Sequence, residues 1–257
     1  MTQLFVDGNN LIHRLYHVLP PDRVLGTLIF QLETMCRDLN GQSIQVALDR
    51  DGPSFRREIF SGYKANRSAK SDELVGLLVS AAGALLRAGF EVDSVPGFEA
   101  DDVIASWVHA TSQNVVIVSS DKDLYQLLVG GRVAILRGYK TSRGKLTNHD
   151  WINSDQFREQ YNIAPFQWPD WKALVGDKSD GMPGVAGVGE STASALLAKY
   201  GTLEAIVTAI ENWGTLPATK SQISKIMSAW TSGELAKARR IHTLVRNVPF
   251  AAELETA

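Results

Sequence analysis

Four short apolar runs in the first half of the chain end in acids. Asp7 closes Leu4-Phe5-Val6, Asp49 closes Ile44–Leu48, Asp121 and Asp123 follow Val115–Ser120, and Glu99, Asp101 and Asp102 follow Phe90–Val95 after a Pro96-Gly97 turn. The runs read as strands. In an open parallel sheet the carboxyl ends of the strands share one edge, so these seven acids would meet there. Carboxylates gathered in one cleft raise each other's pKa unless a cation is present. Hard oxygen donors in that number call for Mg²⁺ or Mn²⁺. The competing explanation is helix capping, for which Glu99-Ala100-Asp101-Asp102 is well suited. Repetition at four strand ends favours a shared purpose. A further pair, Asp177 and Asp180, stands in Gly176-Asp177-Lys178-Ser179-Asp180-Gly181 at a helix end, three residues apart and so able to serve one ion.

Directly after this pair comes Pro183-Gly184-Val185-Ala186-Gly187-Val188-Gly189, and then Glu190-Ser191-Thr192-Ala193 opens a helix. A tight glycine-rich turn between helices leaves amides free at the second helix N-terminus, where a phosphate accepts them without reading a base. This is the helix-hairpin-helix signal, over about residues 174–200. Gly184, Gly187, Gly189, Ser191 and Thr192 are its candidate DNA contacts, although such turns also serve as plain connectors. Hairpins of this kind can hold K⁺ through carbonyls, here those of Leu174, Val175, Val185 and Val188.

The elements that must position these groups follow from periodicity. Strands are expected at Leu4–Val6, Ile44–Leu48, Phe90–Val95, Val115–Val118 and Arg132–Leu136, between helices around Arg23–Leu39, Glu73–Arg87, Ala100–Thr111 and Lys122–Leu128. That alternation predicts an α/β domain over residues 1–150, a parallel sheet with helices on both faces. Past residue 150 only helices are expected, at Ser154–Tyr161, Trp168–Val175, Ser191–Tyr200, Thr202–Ile210 and Lys220–Val245, forming a helical region over 151–257.

Composition agrees with a folded protein: 257 residues, 44% hydrophobic and 21% charged, with 26 basic and 28 acidic side chains. One cysteine, Cys36, excludes an internal disulfide and fits a reducing compartment. The N-terminus lacks the pattern of a secretory signal, and Leu74–Leu86 is too short to span a bilayer and reads as a buried helix. A cytoplasmic protein is expected, with no membrane partner. The net charge of −2 argues against a general polyanion binder, but basic residues cluster at Arg56, Arg57, Lys64, Arg67 and Lys70, and at Arg137, Lys140, Arg143 and Lys145. Setting the nine candidate site acids aside leaves 19 acids against 26 bases, a remainder of +7.

Five motifs together, Val6-Asp7-Gly8-Asn9-Asn10, Gly62–Arg67, Glu99–Asp102, Asp121-Lys122-Asp123 and Gly176 through Gly189, resemble the 5′-nuclease (flap endonuclease) family, which includes the N-terminal domain of bacterial DNA polymerase I and stand-alone 5′-exonucleases. The resemblance implies a PIN-like nuclease core, an H3TH-type helix-hairpin-helix, and hydrolysis of DNA by two Mg²⁺ ions, with Mn²⁺ as a substitute. It implies that Asp7, Asp49, Glu99, Asp101 and Asp121 serve the first ion, with Asp102 close by, and that Asp123, Asp177 and Asp180 serve the second. It places Lys64 and Arg67 at the base of a helical arch, residues 55–73, with Tyr63 available to stack on a base. The implied substrates are 5′ flaps, 5′ overhangs and nicks, processed by a monomer alongside a separate polymerase and ligase. Two positions depart from the family pattern: Ser191 stands where lysine is found in polymerase-linked relatives, and Gly181 where asparagine is common. The alternatives are a catalytically weak flap-binding protein and an RNA-directed nuclease.

Overall fold

A computed structural model describes residues 2–50 and 52–250, which divide into two compact units. The first comprises residues 1–54, 68–153 and the chain from Val245 onward. Its strands and helices run β1 (Thr2–Asp7), α1 (Gly8–Tyr16), α2 (Pro21–Asp38) and β2 (Gly41–Ala47). The chain then leaves for the second unit and its short helix α3 (Phe55–Ile59), and returns as α4 (Asp72–Arg87), β3 (Glu91–Asp93), α5 (Ala100–Ala110), β4 (Asn114–Val118), β5 (Val133–Ser142) and β6 (Lys145–Ile152). The sheet order is β3-β2-β1-β4-β5-β6, parallel except for the β5–β6 pair.

Central β1 shows why the sheet is covered on both sides: Leu4, Phe5 and Val6 are all buried, the continuous apolar run expected of a strand with helices on each face. Leu4 and Val6 pack with Leu11, Leu28, Leu32, Met35 and Leu85 in the main core. Helix α4 starts where the Ser71 hydroxyl accepts the Leu74 amide at 3.3 Å. It buries Leu74, Ala81 and Leu85 but leaves Val75, Val79 and Leu86 exposed, so it covers the sheet by one face rather than as a wholly buried helix. Among the described residues no single helix is long and apolar enough to cross a membrane.

Three local differences from expectation have physical causes. Helix α1 was not anticipated, because its buried face is only Gly8, Leu11, Ile12 and Leu15 and polar side chains interrupt it. The strand after residue 132 runs on to Ser142 and turns back as β6 through Arg143 and Gly144, both at positive φ, the signature of a two-residue hairpin loop. Residues 122–127 wind as a 3₁₀ helix.

The second unit comprises residues 55–67 and 154–244. After α3 it holds α6 (Ser154–Tyr161), α7 (Trp168–Val175), the two-residue strands β7 (Gly176–Asp177) and β8 (Met182–Pro183), α8 (Glu190–Tyr200), α9 (Leu203–Glu211), α10 (Lys220–Thr231) and α11 (Glu234–His242). The long helix expected over 220–245 breaks at Gly233, whose φ of +80° suits glycine. Trp168 and Trp171 stack at 4.6 Å beneath Phe157 and Tyr161. Buried Arg56 ties α3 to α11 by donating Nε–H to the Ile241 carbonyl at 2.8 Å. The stretch expected as an arch on the sheet domain is therefore divided: 55–67 belongs to the helical unit, and it contains one five-residue helix followed by turns.

Candidate active site and phosphate-binding hairpin

In the sheet unit the strand-end acids begin helices as well as line an edge. Asp7 caps α1, its Oδ1 accepting the Asn10 amide at 2.9 Å, and its Oδ2 accepts the Ser119 hydroxyl at 2.8 Å. Asp49 follows β2 and is held by Asn9, whose Nδ2 donates to Oδ2 at 3.0 Å, while the Ala100 amide donates to Oδ1 at 2.9 Å. Asp121 caps the 3₁₀ turn by accepting the Asp123 amide at 2.8 Å. Glu99 stands at the N-cap of α5, its Oε1 accepting the Ser54 hydroxyl at 3.3 Å, with Asp101 in the first turn. Asp7 and Asp121 thus cap helical turns while Asp7 also lies within electrostatic reach of Asp49 and Asp121.

Burial pushes the Asp7 carboxyl up to about 7, with the charges of Asp49 and Asp121 adding to the rise against the opposing hydrogen bonds from Asn10 and Ser119. An all-oxygen set crowded until one member holds a proton near neutral pH is what a hard divalent cation neutralises. The donors therefore fit such an ion in chemistry. Among the described residues no group of three or more His, Cys, Asp or Glu side chains is arranged closely enough to hold one by itself.

Asp102 has a different task. It is wholly buried, with Oδ2 accepting the Glu99 amide at 3.1 Å and Oδ1 accepting the Val245 amide at 2.9 Å. Each oxygen accepts a backbone amide, so the carboxylate acts as a strut for the site. Asp102→Ala strands two buried donors, and unfolding in urea should show a loss of about 2–5 kcal/mol. An unchanged midpoint would refute the strut.

The helical unit carries the other acids. Burial would raise Asp177, but the ammonium of Lys172 at 2.5 Å, together with the hydroxyl and amide of Ser179, outweighs burial and holds the carboxyl well below the usual range. Asp180, also buried, accepts Arg67 at 2.7 Å through Oδ1, and its carbonyl accepts the Lys64 amide at 2.9 Å. Asn66 Nδ2 donates to the Lys178 carbonyl at 2.8 Å, so the 62–67 turn is fastened along the 178–180 loop. Lys64 sits at φ +55° with its ammonium 4.9 Å from the centre of the Tyr63 ring. Tyr63 itself corrects an expectation: it is 3% exposed, so its ring packs inside the unit and is not presented for stacking on a base.

The hairpin closes through glycine. At Gly184 a Cβ would lie 2.2 Å from the Val175 carbonyl carbon, a backbone approach that only glycine permits. Gly184 therefore shapes the turn from which the hairpin amides are presented. Gly187 turns at φ +84° and Gly189 is the N-cap of α8, which leaves the amides of Glu190, Ser191 and Thr192 without intrahelical acceptors. Gln222 of α10 donates to the Gly187 carbonyl at 2.7 Å and reaches Thr192 Oγ1 at 3.4 Å. Of the carbonyls named for K⁺, Leu174 accepts the Val185 amide at 2.8 Å, Val185 accepts the Val188 amide at 2.9 Å, and Val175 lies against Gly184.

Sequence reasoning missed the groups that hold the acids and the hairpin: Asn9, Asn10, Ser119 and Lys172 bond the acids, Ser120 bonds Asn10, and Gln222 bonds the hairpin. A signal existed for four of them, since Asn9 and Asn10 come just after Asp7-Gly8 and two serines directly precede Asp121.

Residues 2–162 match the 5′-3′ exonuclease N-terminal resolvase-like domain, and residues 163–257 the 5′-3′ exonuclease C-terminal SAM fold. The chain is 35% identical over 265 residues to the thermostable DNA polymerase I of Thermus aquaticus, covering 98% of this chain and 30% of the polymerase. It is 32% identical over 268 residues to DNA polymerase I of Mycobacterium tuberculosis, covering 99% of this chain and 28% of that protein. The chain thus spans about a third of the length of these curated relatives. Its fold matches the 5′-exonuclease of bacteriophage T5, a structure with bound zinc, at a TM-score of 0.80 and 20% identity over 95% of this chain and 90% of that one. It also matches human GEN1 in complex with Holliday junction DNA, at a TM-score of 0.62 and 12% identity over 97% of this chain and 63% of that one. Homologous to the nuclease domain of DNA polymerase I and matched along its whole length, the chain belongs to the 5′-3′ exonuclease family.

Proposed function

We propose that this chain is a structure-specific 5′ nuclease that hydrolyses DNA phosphodiester bonds at 5′ flaps, 5′ overhangs and nicks during replication or repair. The observation that carries the reading is Asp7, buried at the end of β1 with the charges of Asp49 and Asp121 adding to the rise that burial imposes on its carboxyl, for which a divalent cation would be a natural partner. Asp7, Asp49, Glu99, Asp101 and Asp121 would hold one Mg²⁺, and Asp123, Asp177 and Asp180 would serve a second. Such ions, when bound, supply a water of lowered pKa and stabilise the leaving oxygen. Asn9 and Ser119 keep Asp49 and Asp7 oriented. Lys64 and Arg67 supply positive charge for the scissile phosphate, and pairing with Asp180 keeps Arg67 in place. The free amides at the start of α8 bind duplex phosphates without sequence preference, so affinity should fall steeply with salt. K⁺ shared among the Leu174, Val175, Val185 and Val188 carbonyls would brace this hairpin. The setting is a monomer in the cytoplasm, with a separate polymerase and ligase completing repair.

The test is a 5′-flap duplex labelled at its 5′ end, with Mg²⁺ or EDTA, comparing the wild type with Asp180→Ala and Lys64→Ala. Release of a short fragment only with Mg²⁺, slowed at least about a hundredfold in both variants, is the expected result. A competing reading, a flap-binding protein with little catalysis, draws on the ion pairs already made by Asp177 and Asp180. Tight flap binding without product in Mg²⁺ or Mn²⁺ would establish it instead.

A further inference from the structure

Asp177 is fully engaged. Its Oδ2 faces the Lys172 ammonium at 2.5 Å, and its Oδ1 accepts the Ser179 amide at 2.8 Å, the Ser179 hydroxyl at 2.5 Å and the Asp180 amide at 3.3 Å. Lys172 and Asp177 have side chains 7% and 14% exposed, so the pair is largely withdrawn from water. Asp180, in turn, meets Arg67. Each of these acids stands against a cation of its own chain, the reverse of the sheet unit, where burial pushes Asp7 toward protonation and the charges of Asp49 and Asp121 add to the rise. Two acid groups assigned the same kind of ligand are therefore prepared in opposite ways.

We propose that Lys172 is a positioning residue that supplies, in the absence of a second divalent ion, the positive charge that Asp177 needs, and that it thereby weakens the hold of this loop on that ion. The proposal rests on the reading that Asp177 and Asp180 serve a second ion. A divalent cation approaching Asp177 meets a positive charge on the carboxylate it must share, and in a half-buried setting that repulsion is poorly screened. Lys172 also fixes the Asp177 carboxylate as an ionised acceptor for the Ser179 and Asp180 amides, which shape the loop before any ion arrives. Phosphate oxygens brought by a substrate would offset the lysine, so uptake of the second ion would be coupled to DNA binding.

The alternative is a plain staple between α7 and the loop, which predicts lost stability but no gain in metal affinity. The two part on Mn²⁺ binding, followed by the paramagnetic resonance of free Mn²⁺, with thermal unfolding in EDTA and in Mn²⁺ as a second readout. Lys172→Met should bind the weaker Mn²⁺ at least about tenfold more tightly than wild type. It should melt below wild type in EDTA and gain more from Mn²⁺ than wild type does. Lys172→Arg should retain the wild-type affinity. Should Lys172→Met fail to fold without ions, Lys172→Gln folded in Mn²⁺ carries the same affinity test. Unchanged or weaker binding in the neutral variants overturns the proposal. Asp180→Asn separates the two readings: if it removes one Mn²⁺ while the neutral variants do not tighten, the lysine proposal alone fails, and if it leaves the Mn²⁺ count unchanged, the second-ion reading fails and the lysine proposal with it.

Discussion

Asp7→Asn should give a protein that is more stable than wild type without divalent ions, yet slower in cleavage by roughly a thousandfold or more. The stability gain follows from the sign of the Asp7 shift. Its carboxyl titrates near pH 7 in the folded protein against 3.8 as the ordinary value, so the folded state binds the proton more tightly. The stabilisation that this proton gives is complete below pH 3.8 and is lost as pH rises to about 7, above which the folded state carries a constant penalty. Asparagine keeps an acceptor for the Asn10 amide and a donor for the Ser119 hydroxyl while removing the charge. Urea unfolding in EDTA should show the variant gaining on wild type from pH 5 to pH 7 and then running parallel, with a difference of about 2–4 kcal/mol at pH 8. Mg²⁺ should narrow the gap by stabilising wild type. Coincident unfolding curves across this range would mean that Asp7 is not crowded, and the electrostatic case for the metal would go with it.

The second large effect is expected at Gly184. An alanine Cβ would sit 2.2 and 2.3 Å from the Val175 carbonyl carbon and oxygen and 2.5 Å from the Gly176 nitrogen, and none of these backbone atoms can swing aside. The β7–β8 pairing of Gly176 with Pro183 would have to open, carrying the start of the hairpin with it. Gly184→Ala should cost roughly 3 kcal/mol or more in stability, and its affinity for a nicked duplex should fall at least about tenfold. Gly189→Ala is the matched control: φ is −95° and nothing lies within 4 Å of the added carbon, so its stability should stay within about 0.5 kcal/mol of wild type. Equal melting of the two variants would show that the hairpin does not depend on this close approach.

The sequence disclosed the strand-end acids and the glycine turn because both are local: an acid after an apolar run, and glycines at fixed offsets before a helix. It also disclosed the alternation that builds the sheet, since β1 is apolar on both faces. What it withheld depends on distant partners. Asp102 looks like any first-turn acid until Val245, far along the chain, is seen to donate to it. Tyr63 looks like a stacking platform until its burial is known. Lys172 sits among apolar residues of α7, where only the fold reveals that its ammonium meets Asp177. The β5–β6 hairpin was concealed because its turn uses Arg143 at positive φ beside Gly144, where asparagine or aspartate would have been a clearer signal.

The return of the chain to the sheet unit at Val245 has a consequence for synthesis. Asp102 waits for an amide 143 residues further along, and Ser106, which accepts nothing nearer from that stretch, waits for the Val248 amide 142 residues on. At the pace of a ribosome the interval is roughly 7–30 s, during which the emerging polypeptide holds a carboxylate destined for the interior without one of its two backbone donors. The helical unit is made entirely within that interval, apart from its first segment, residues 55–67. The nascent protein therefore cannot finish its first-begun unit first, and a stall or stop anywhere before residue 245 leaves the sheet unit short of a closing contact.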